Sequence, residues 1–174
     1  SQIKRFSELS KIIDTKKNFS INDFGCGYGA LYDFLLNSDH KNFQYFGNDI
    51  SSLMIKAAQE RYIGHGGISF IESSKPQRIS DYSIASGVLN VKLDEKETSW
   101  KIQVKNILNT LNQFSKSGFS FNCLTSYSDK NMMKDYLYYA DPLEMFHYCK
   151  LEFSKNVALL HDYNLYEFTI LVRK

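Results

Sequence analysis

The glycine-rich segment Ile21–Ala30 most constrains how this chain can fold. It reads Ile-Asn-Asp-Phe-Gly-Cys-Gly-Tyr-Gly-Ala, so an apolar run leads directly into three glycines at alternate positions. Glycine adopts positive φ at little cost and lets a ligand approach the main chain closely. The N–H groups at the start of a following helix are unpaired and point into such a loop. The segment therefore predicts a buried strand, a ligand-binding loop and a helix, in that order.

An acidic residue, Asp49, follows a second apolar run over Phe43–Asn48. A carboxylate at this point of an alternating strand–helix fold can bind both hydroxyls of a ribose. The spacing of Gly25, Gly27 and Ala30 also satisfies the dinucleotide fingerprint. A nicotinamide-dependent oxidoreductase is therefore an alternative that this spacing leaves open.

Two features favour a different cofactor class. Asp23 lies two residues before the first glycine, where a carboxylate would repel a pyrophosphate but attract a cationic amino group. The last two predicted strands, Val157–Leu160 and Tyr166–Val172, are joined by only a few residues. A parallel crossover needs about a dozen residues or more, so this pair must be antiparallel. A dinucleotide dehydrogenase would usually continue with a sixth parallel strand instead.

Apolar runs and helical periodicities alternate along the rest of the chain. Strands are predicted at residues 19–24, 43–48, 68–71, 82–85 and 119–124, and helices at 1–17, 29–36, 51–62 and 97–114. Ser51 is predicted to cap the third of these helices, and Gly118 to serve as the C-cap of the fourth. In the third helix we expect the core face to be formed by Leu53, Met54, Ala57 and Ala58. The alternation predicts a parallel sheet with helices on both faces.

The glycine motif together with Asp49 and Ile50 resembles the class I S-adenosylmethionine-dependent methyltransferases. Asp81–Asn90 resembles the fourth strand and following loop of that family, and His161–Thr169 resembles the closing hairpin of a bacterial small-molecule subgroup. The resemblance covers nearly the whole chain. It implies an α/β, Rossmann-like class I methyltransferase fold over residues 1–174 as a single domain, with a mostly parallel seven-stranded sheet and a final antiparallel strand.

The resemblance also implies S-adenosyl-L-methionine as the cofactor and assigns residues to it. The implied cofactor-binding residues are Arg5, Asp23, Gly25, Cys26, Gly27, Asp49, Ile50, Ser73 and Ser86. Arg5, in a segment that matches the subgroup's Q-x-x-R-F pattern, would pair with the cofactor's carboxylate; the alternative is a solvated surface arginine. Ile50 would lie against the adenine. Ser73 stands where the family reads the adenine edge and where many members carry an aspartate.

Methyl transfer requires alignment of the reactants more than it requires an acid–base pair. The resemblance places Asn90 where the family presents acceptor-facing groups, so Asn90 is the candidate catalytic residue; the alternative is a turn asparagine. Four tyrosines are clustered in the sequence, namely Tyr127, Tyr136, Tyr138 and Tyr139. They either cover the binding site of an acceptor or pack under a loop. His161 and Asp162 are expected to be structural, because the resemblance puts their strand at the outer edge of the sheet.

Bulk properties narrow the partners of a chain of 174 residues with net charge +2. This charge makes no broad electrostatic case for nucleic acid or an anionic membrane. No apolar run approaches the roughly 20 residues that span a bilayer, and no signal peptide is evident. The three cysteines lack metal-ligand spacing and fit reduced thiols in the cytoplasm. The resemblance implies a small-molecule acceptor, and the cysteine spacing predicts no metal; the alternatives are the oxidoreductase and a cofactor-binding module without catalysis.

Overall fold

The computed structural model describes residues 1–15, 17–38, 40 and 42–174, which form helices around one sheet. The strands are β1 (Phe19–Phe24), β2 (Phe43–Asp49), β3 (Ile68–Glu72), β4 (Ser80–Ala85), β5 (Ser115–Thr125), β6 (Tyr139–Ala140), β7 (Asn156–Leu160) and β8 (Glu167–Arg173). The α-helices are α1 (Gln2–Ser10), α2 (Ala30–Leu36), α3 (Ser52–Arg61), α4 (Glu97–Gln113) and α5 (Pro142–Glu152). A short 3₁₀ turn covers Lys130–Met132.

The strands of the sheet lie in the order β3-β2-β1-β4-β5-β8-β7, and the two-residue β6 pairs with β5 outside this path. Strands β1 to β5 pair in parallel, whereas β8 is antiparallel to both β5 and β7. This confirms the predicted parallel sheet with an antiparallel closing pair. A dinucleotide-binding sheet has the order 3-2-1-4-5-6, so the insertion of β8 between β5 and β7 departs from the dehydrogenase arrangement.

Two apolar cores cover the two faces of the sheet, as the alternation of strands and helices predicts. Side chains of a strand alternate between faces, so within β1 Ile21 belongs to one core and Phe24 to the other. Helices α1, α2 and α3 pack on the face of Ile21, and helices α4 and α5 pack on the face of Phe24. The sheet therefore lies between two layers of helices, and the ends of its strands remain available to form a ligand-binding site.

Helix α1 is shorter than predicted, ending at Ser10 instead of Lys17. The chain then turns, with the N–H groups of Ile12 and Ile13 bonded to the carbonyls of Leu9 and Ser10. Both isoleucines are buried. Neighbouring positions of a helix are about 100° apart around its axis, so the turn buries two consecutive apolar residues that one helix face would not accommodate equally well.

The core face of α3 also differs from the prediction. Leu53 and Met54 are 78% and 44% exposed, and Ile55 and Ala58 are the buried residues. The prediction was right for Ala58 and for the Ser51 cap, whose side chain accepts a hydrogen bond from the Met54 N–H. Two apolar stripes overlap in this segment, and the sequence did not distinguish them. The packing of α3 on β3 and β2 selects the Ile55 stripe.

Gly118 is not a helix C-cap but an interior residue of β5. Helix α4 is followed directly by Phe114 and then by β5, which begins at Ser115. Gly118 has a φ of 153° and pairs with Arg173 of β8. A Cβ at Gly118 would lie 2.4 Å from the carbonyl oxygen of Val172. The glycine is therefore needed for the close approach of β5 and β8, not for ending a helix.

Gly118→Ala should strongly destabilise the fold, because the clash is with backbone and cannot be relieved by a side-chain rotation. We expect a loss of about 2 kcal/mol or more in the free energy of unfolding, measured by chemical denaturation. Gly66→Ala is the matched control, since no atom lies within 4 Å of its Cβ position. Its effect should stay within about 0.5 kcal/mol. Equal denaturation midpoints for the two variants would contradict the proposed clash.

Candidate functional site

A cleft of about 590 Å³ opens at the carboxyl ends of the parallel strands. In sheets of this kind, ligands bind where the strand order reverses, which here is between β1 and β4. The wall of the cleft includes Gly25 after β1, Asp49 at the end of β2 with Ile50 after it, Ser73 after β3 and Ser86 after β4. The predicted residues of four separate segments thus meet at one cleft. Helix α4 closes its far side.

The glycine loop has the backbone conformation that its sequence predicts. Gly25 and Gly27 adopt φ of 71° and 53°. A Cβ at Gly25 would lie 2.5 Å from Cγ2 of Val88, so this glycine lets the loop pack against the segment after β4. Apart from the adjacent residues of the chain, no atom of the described residues lies within 4 Å of the Cβ position of Gly27. Its backbone is therefore open to the approach of a ligand.

The carboxylate of Asp49 organises the loop from the neighbouring strand. Its Oδ2 accepts a hydrogen bond from the Gly27 N–H at 2.9 Å, and its Oδ1 accepts one from the Ser51 N–H at 2.9 Å. Each carboxylate oxygen has about two acceptor sites, so capacity remains for hydroxyl donors. Sequence reasoning foresaw a ligand role for Asp49 but not its bond to the loop.

Asp23 lies near the end of β1, just before the glycine loop; it is only 2% exposed and does not line the cleft. The buried Tyr45 hydroxyl donates a hydrogen bond to its Oδ2. Burial raises the pKa of Asp23 to about 7; the Tyr45 hydrogen bond opposes the rise and the charge of Asp49 adds to it. Sequence reasoning missed Tyr45. It lies two positions from the residue of β2 that pairs with Asp23, so the side chains of Tyr45 and Asp23 lie on the same face of the sheet.

Cys26 contributes main chain, not its thiol, to the loop. Its N–H shares the Asn48 carbonyl with the Gly25 N–H, at 3.1 and 2.8 Å. Its sulfur lies 2.8 Å from the Cβ position of Gly47, so the side chain is directed under the loop. Burial is the main cause that raises the pKa of this thiol. Cys26 therefore supports the loop as a small buried side chain.

Ile50, Ser73 and Ser86 all line the cleft. Ile50 is 78% exposed, which leaves an apolar surface at the rim. The Ser73 hydroxyl donates to the Lys75 carbonyl at 2.8 Å and accepts from the Lys75 N–H at 3.2 Å. This hydroxyl is thus already engaged in a local turn, which reduces its capacity to read a ligand.

Arg5 reaches across from α1 to the start of β8. Its Nε donates to both carboxylate oxygens of Glu167, at 2.9 and 3.0 Å. Its Nη1 lies 3.3 Å from the Cβ position of Gly87, a residue of the cleft wall. A half-buried, ion-paired guanidinium differs from a simply solvated surface arginine. Sequence reasoning did not identify Glu167. Its signal in the sequence is that it is one acidic residue at the start of an apolar strand.

Asn122 joins this ion pair to the loop after β4. It is fully buried, its Nδ2 donates to Glu167 Oε2 at 2.8 Å, and its Oδ1 accepts from the Gly87 N–H at 2.7 Å. Helix α1, β8, β5 and the loop at Gly87 are therefore connected by one chain of hydrogen bonds. Sequence reasoning did not identify Asn122, because a polar residue in a strand has no partner until the strand order is known.

Asn90 holds the same loop farther along. Its Oδ1 accepts from the Leu124 N–H at 3.0 Å, and its carbonyl accepts from the Tyr138 N–H at 2.9 Å. It is 8% exposed and is not part of the cleft wall. This placement favours the turn-asparagine interpretation over direct contact with an acceptor.

The tyrosine cluster does not act as one unit. Tyr138 is buried in the core of α4 and α5, whereas Tyr127 and Tyr136 are 67% and 53% exposed.

His161 follows the edge strand β7, and its ring lies 6.0 Å from those of Tyr127 and Phe168. The outer position of β7 is as predicted.

No group of three or more potential ligands that could hold a metal ion occurs among the described residues. Cys26, Cys123 and Cys149 are buried as free thiols. Within the same ranges, the helices are all too short or too polar to cross a membrane.

Asp23→Asn should flatten the dependence of stability on pH. Because the pKa of Asp23 is raised from 3.8 to about 7, the folded protein between these values retains a proton that the unfolded chain releases. The contribution of this group is therefore fully present below pH 3.8 and is lost as the pH rises through about 7. We expect Tm to fall more steeply between pH 5 and pH 8 in the unmodified chain than in the variant, by scanning calorimetry. Parallel profiles would contradict the raised pKa.

Asn90→Ala should loosen the loop by leaving the Leu124 N–H without its acceptor. We expect a loss of about 1–3 kcal/mol in the free energy of unfolding and faster hydrogen exchange at the Leu124 amide. Asn106→Ala, at an exposed position of α4, is the control. Unchanged exchange at Leu124 together with a large loss of activity would instead favour a direct role of Asn90 toward the acceptor.

A curated relative covers almost the entire chain. The Mycobacterium tuberculosis protein named "Putative methyltransferase Rv1506c" is 52% identical over 166 residues, which span 94% of this chain and 98% of that protein. No protein-family model matches the chain.

Two solved methyltransferase structures share the fold. Magnesium protoporphyrin IX methyltransferase (ChlM) from Synechocystis PCC 6803, with bound SAH, has a TM-score of 0.63 at 13% identity, over 90% of this chain and 74% of that one. Human N-acetylserotonin methyltransferase, in complex with SAM, has a TM-score of 0.72 at 15% identity, over 98% of this chain and 51% of that one. With the extensive identity to the mycobacterial protein, the chain belongs to that protein's methyltransferase family and has the class I methyltransferase fold.

Proposed function

We propose that this chain is an S-adenosylmethionine-dependent methyltransferase that acts on a small-molecule acceptor, with residues 1–174 working as a single domain. The observation that carries the proposal is the cleft at the β1–β4 switch point, which is lined by Gly25 of the glycine loop and by Asp49, whose carboxylate is held by the Gly27 N–H. Membership of a methyltransferase family supports it. Two fold neighbours that hold SAM or SAH support the choice of cofactor.

The residues present fit the nucleoside half of this cofactor. The oriented carboxylate of Asp49 suits the two ribose hydroxyls, because both of its oxygens retain acceptor capacity. The cleft offers apolar surface from Ile50 and Val88, and from Trp100 of α4, which suits a purine ring. Ser73 and Ser86 lie on the wall between these groups. The engaged hydroxyl of Ser73 makes its backbone the better candidate for contact.

The amino-acid half of the cofactor carries an ammonium and a carboxylate. Asp23, just before the glycine loop, is the candidate partner of the ammonium, and a nearby cation would favour its ionised form. The guanidinium of Arg5, beside Gly87, is the candidate partner of the carboxylate. The main chain of Cys26 and Gly27 completes this side by close approach, since the N–H groups of both residues are already bonded to Asn48 and Asp49.

When bound, the cofactor supplies a methyl group on a cationic sulfur that needs no further activation. The task of the chain is to align the acceptor with that methyl group and to exclude water. Acid–base help is needed only if the acceptor is a hydroxyl or a protonated amine. We assign Asn90 an indirect part here, as the side chain that fixes the loop after β4 on the acceptor side of the cleft.

The size of the cleft and the charge of the molecule suit small-molecule ligands. A cleft of about 590 Å³ lies within the roughly 300–1,000 Å³ of small-molecule sites, and the proposal places the cofactor in it. A net charge of +2 supplies no broad basic surface for nucleic acid. The strand order, with an antiparallel β8, disfavours the nicotinamide-dependent alternative.

Asp49→Asn should weaken binding of S-adenosylhomocysteine by roughly 10- to 100-fold, since charge-assisted hydrogen bonds contribute about 1.5–3 kcal/mol. Calorimetric titration checks this, with Asp33→Asn as control because Asp33 pairs with Arg61 on the outer surface of α2. The unmodified chain should bind S-adenosylhomocysteine and not NADH. Tight NADH binding with no signal from S-adenosylhomocysteine would overturn the proposed function.

Turnover separates an enzyme from a binding module that lacks catalysis. We expect release of S-adenosylhomocysteine from S-adenosylmethionine with at least one member of a panel of carboxylate, amine and sugar acceptors. Cofactor binding without turnover on any member would favour the binding module.

A further inference from the structure

We infer that Glu167 is a positioning residue for the carboxylate end of the cofactor: it orients the guanidinium of Arg5 and, through Asn122, fixes the Gly87 amide on the cleft wall. The inference rests on the proposed function, because it takes S-adenosylmethionine as the ligand of the cleft. It adds to that proposal two residues, Glu167 and Asn122, that do not themselves line the cleft.

Glu167 holds Arg5 by one edge of its guanidinium. Both carboxylate oxygens accept from the same nitrogen, Nε, at 2.9 and 3.0 Å. Among the described residues, no hydrogen bond involves the Nη atoms of Arg5. A guanidinium presents its donors in a planar fork, and its two terminal nitrogens match a carboxylate bidentately. Glu167 thus engages the inner edge of the fork and leaves the outer edge for a second anion.

The outer edge of the guanidinium lies beside the cleft wall. Nη1 of Arg5 lies 3.3 Å from the Cβ position of Gly87, and Gly87 lines the cleft. The absence of a side chain at Gly87 allows the guanidinium to approach the loop. The side chain of Arg5 remains 27% exposed while that of Glu167 is 4% exposed. The pair therefore has one buried end and one end that a ligand can reach.

Asn122 connects Glu167 to the loop at Gly87. This fully buried amide donates to Glu167 and accepts from the Gly87 N–H, at 2.8 and 2.7 Å. One carboxylate therefore determines the position of two groups on the same wall, a guanidinium and a loop amide. A buried ion pair is weak evidence for stability, because its desolvation offsets its attraction. Its geometry in this structure is instead suited to positioning.

The competing explanation is that the network only attaches α1 to the sheet. A purely structural network would, when broken, weaken every ligand of the cleft to a similar extent. A positioning network would weaken only ligands that carry the carboxylate. Two compounds separate these cases, because S-adenosylhomocysteine and 5′-methylthioadenosine share the thioadenosine portion and only the first has the amino-acid end.

The test is calorimetric titration of both compounds against the unmodified chain and Glu167→Gln. We expect the variant to bind S-adenosylhomocysteine roughly 10-fold or more weakly, the scale of a charge-assisted contact, and 5′-methylthioadenosine within about twofold. Glu8→Gln is the matched control, because Glu8 is on the same helix as Arg5 but pairs with Lys11. It should bind both compounds as the unmodified chain does.

Arg5→Lys provides a second variant that keeps the charge and lies at a half-exposed position, so that the test does not depend on the folding of Glu167→Gln. A compact ammonium cannot engage Glu167 and a ligand carboxylate as a fork does, so the same selective loss is expected. Equal losses for the two compounds, or no loss for either, would overturn the inference while leaving the proposed function intact. Failure of the unmodified chain to bind S-adenosylhomocysteine would overturn both.

Discussion

Two hydrogen bonds to the carboxylate of Asp49 hold together the edge of the sheet at which the candidate site lies. One comes from the glycine loop at Gly27 and the other from Ser51 at the start of α3. They join the ends of β1 and β2 and set the orientation of the carboxylate before any ligand arrives. A carboxylate that is already oriented in this way does not have to be ordered when a ligand binds, which reduces the conformational cost of association. The remaining features of the cleft are arranged around this edge.

The polar groups near that edge are buried to different extents, and this difference separates their roles. Asp23 is almost fully buried with Tyr45 as its partner, so its protonation responds to burial and to any cation that binds near it. Glu167 is equally buried but is compensated by Arg5. The first carboxyl group is thus suited to respond to a ligand charge, and the second to maintain a fixed geometry. Both arrangements leave the reactive chemistry to the cofactor.

The tertiary structure shows that the loop after β4 is held in place by β5. Asn90 and Gly87 are each bonded to β5, one through the Leu124 N–H and the other through Asn122. A loop between the cofactor side and the acceptor side of a cleft affects both through its position, since an error of about 1 Å in alignment can reduce a rate 100-fold. Under the proposed function, residues that fix this loop would contribute without contact with either reactant.

The sequence by itself determined the strand–helix alternation, the glycine loop, the antiparallel closing pair and the acidic residue after β2. These follow from local rules: hydrophobic periodicity, the freedom of glycine at Gly25 and Gly27, and a connection too short for a parallel crossover. Only the tertiary structure decided the pairing of Glu167 with Arg5, 162 positions away, because such partners are defined by strand order and not by spacing. Tertiary packing likewise decided the core face of α3, because it selected one of two apolar stripes that overlap in the sequence of this helix.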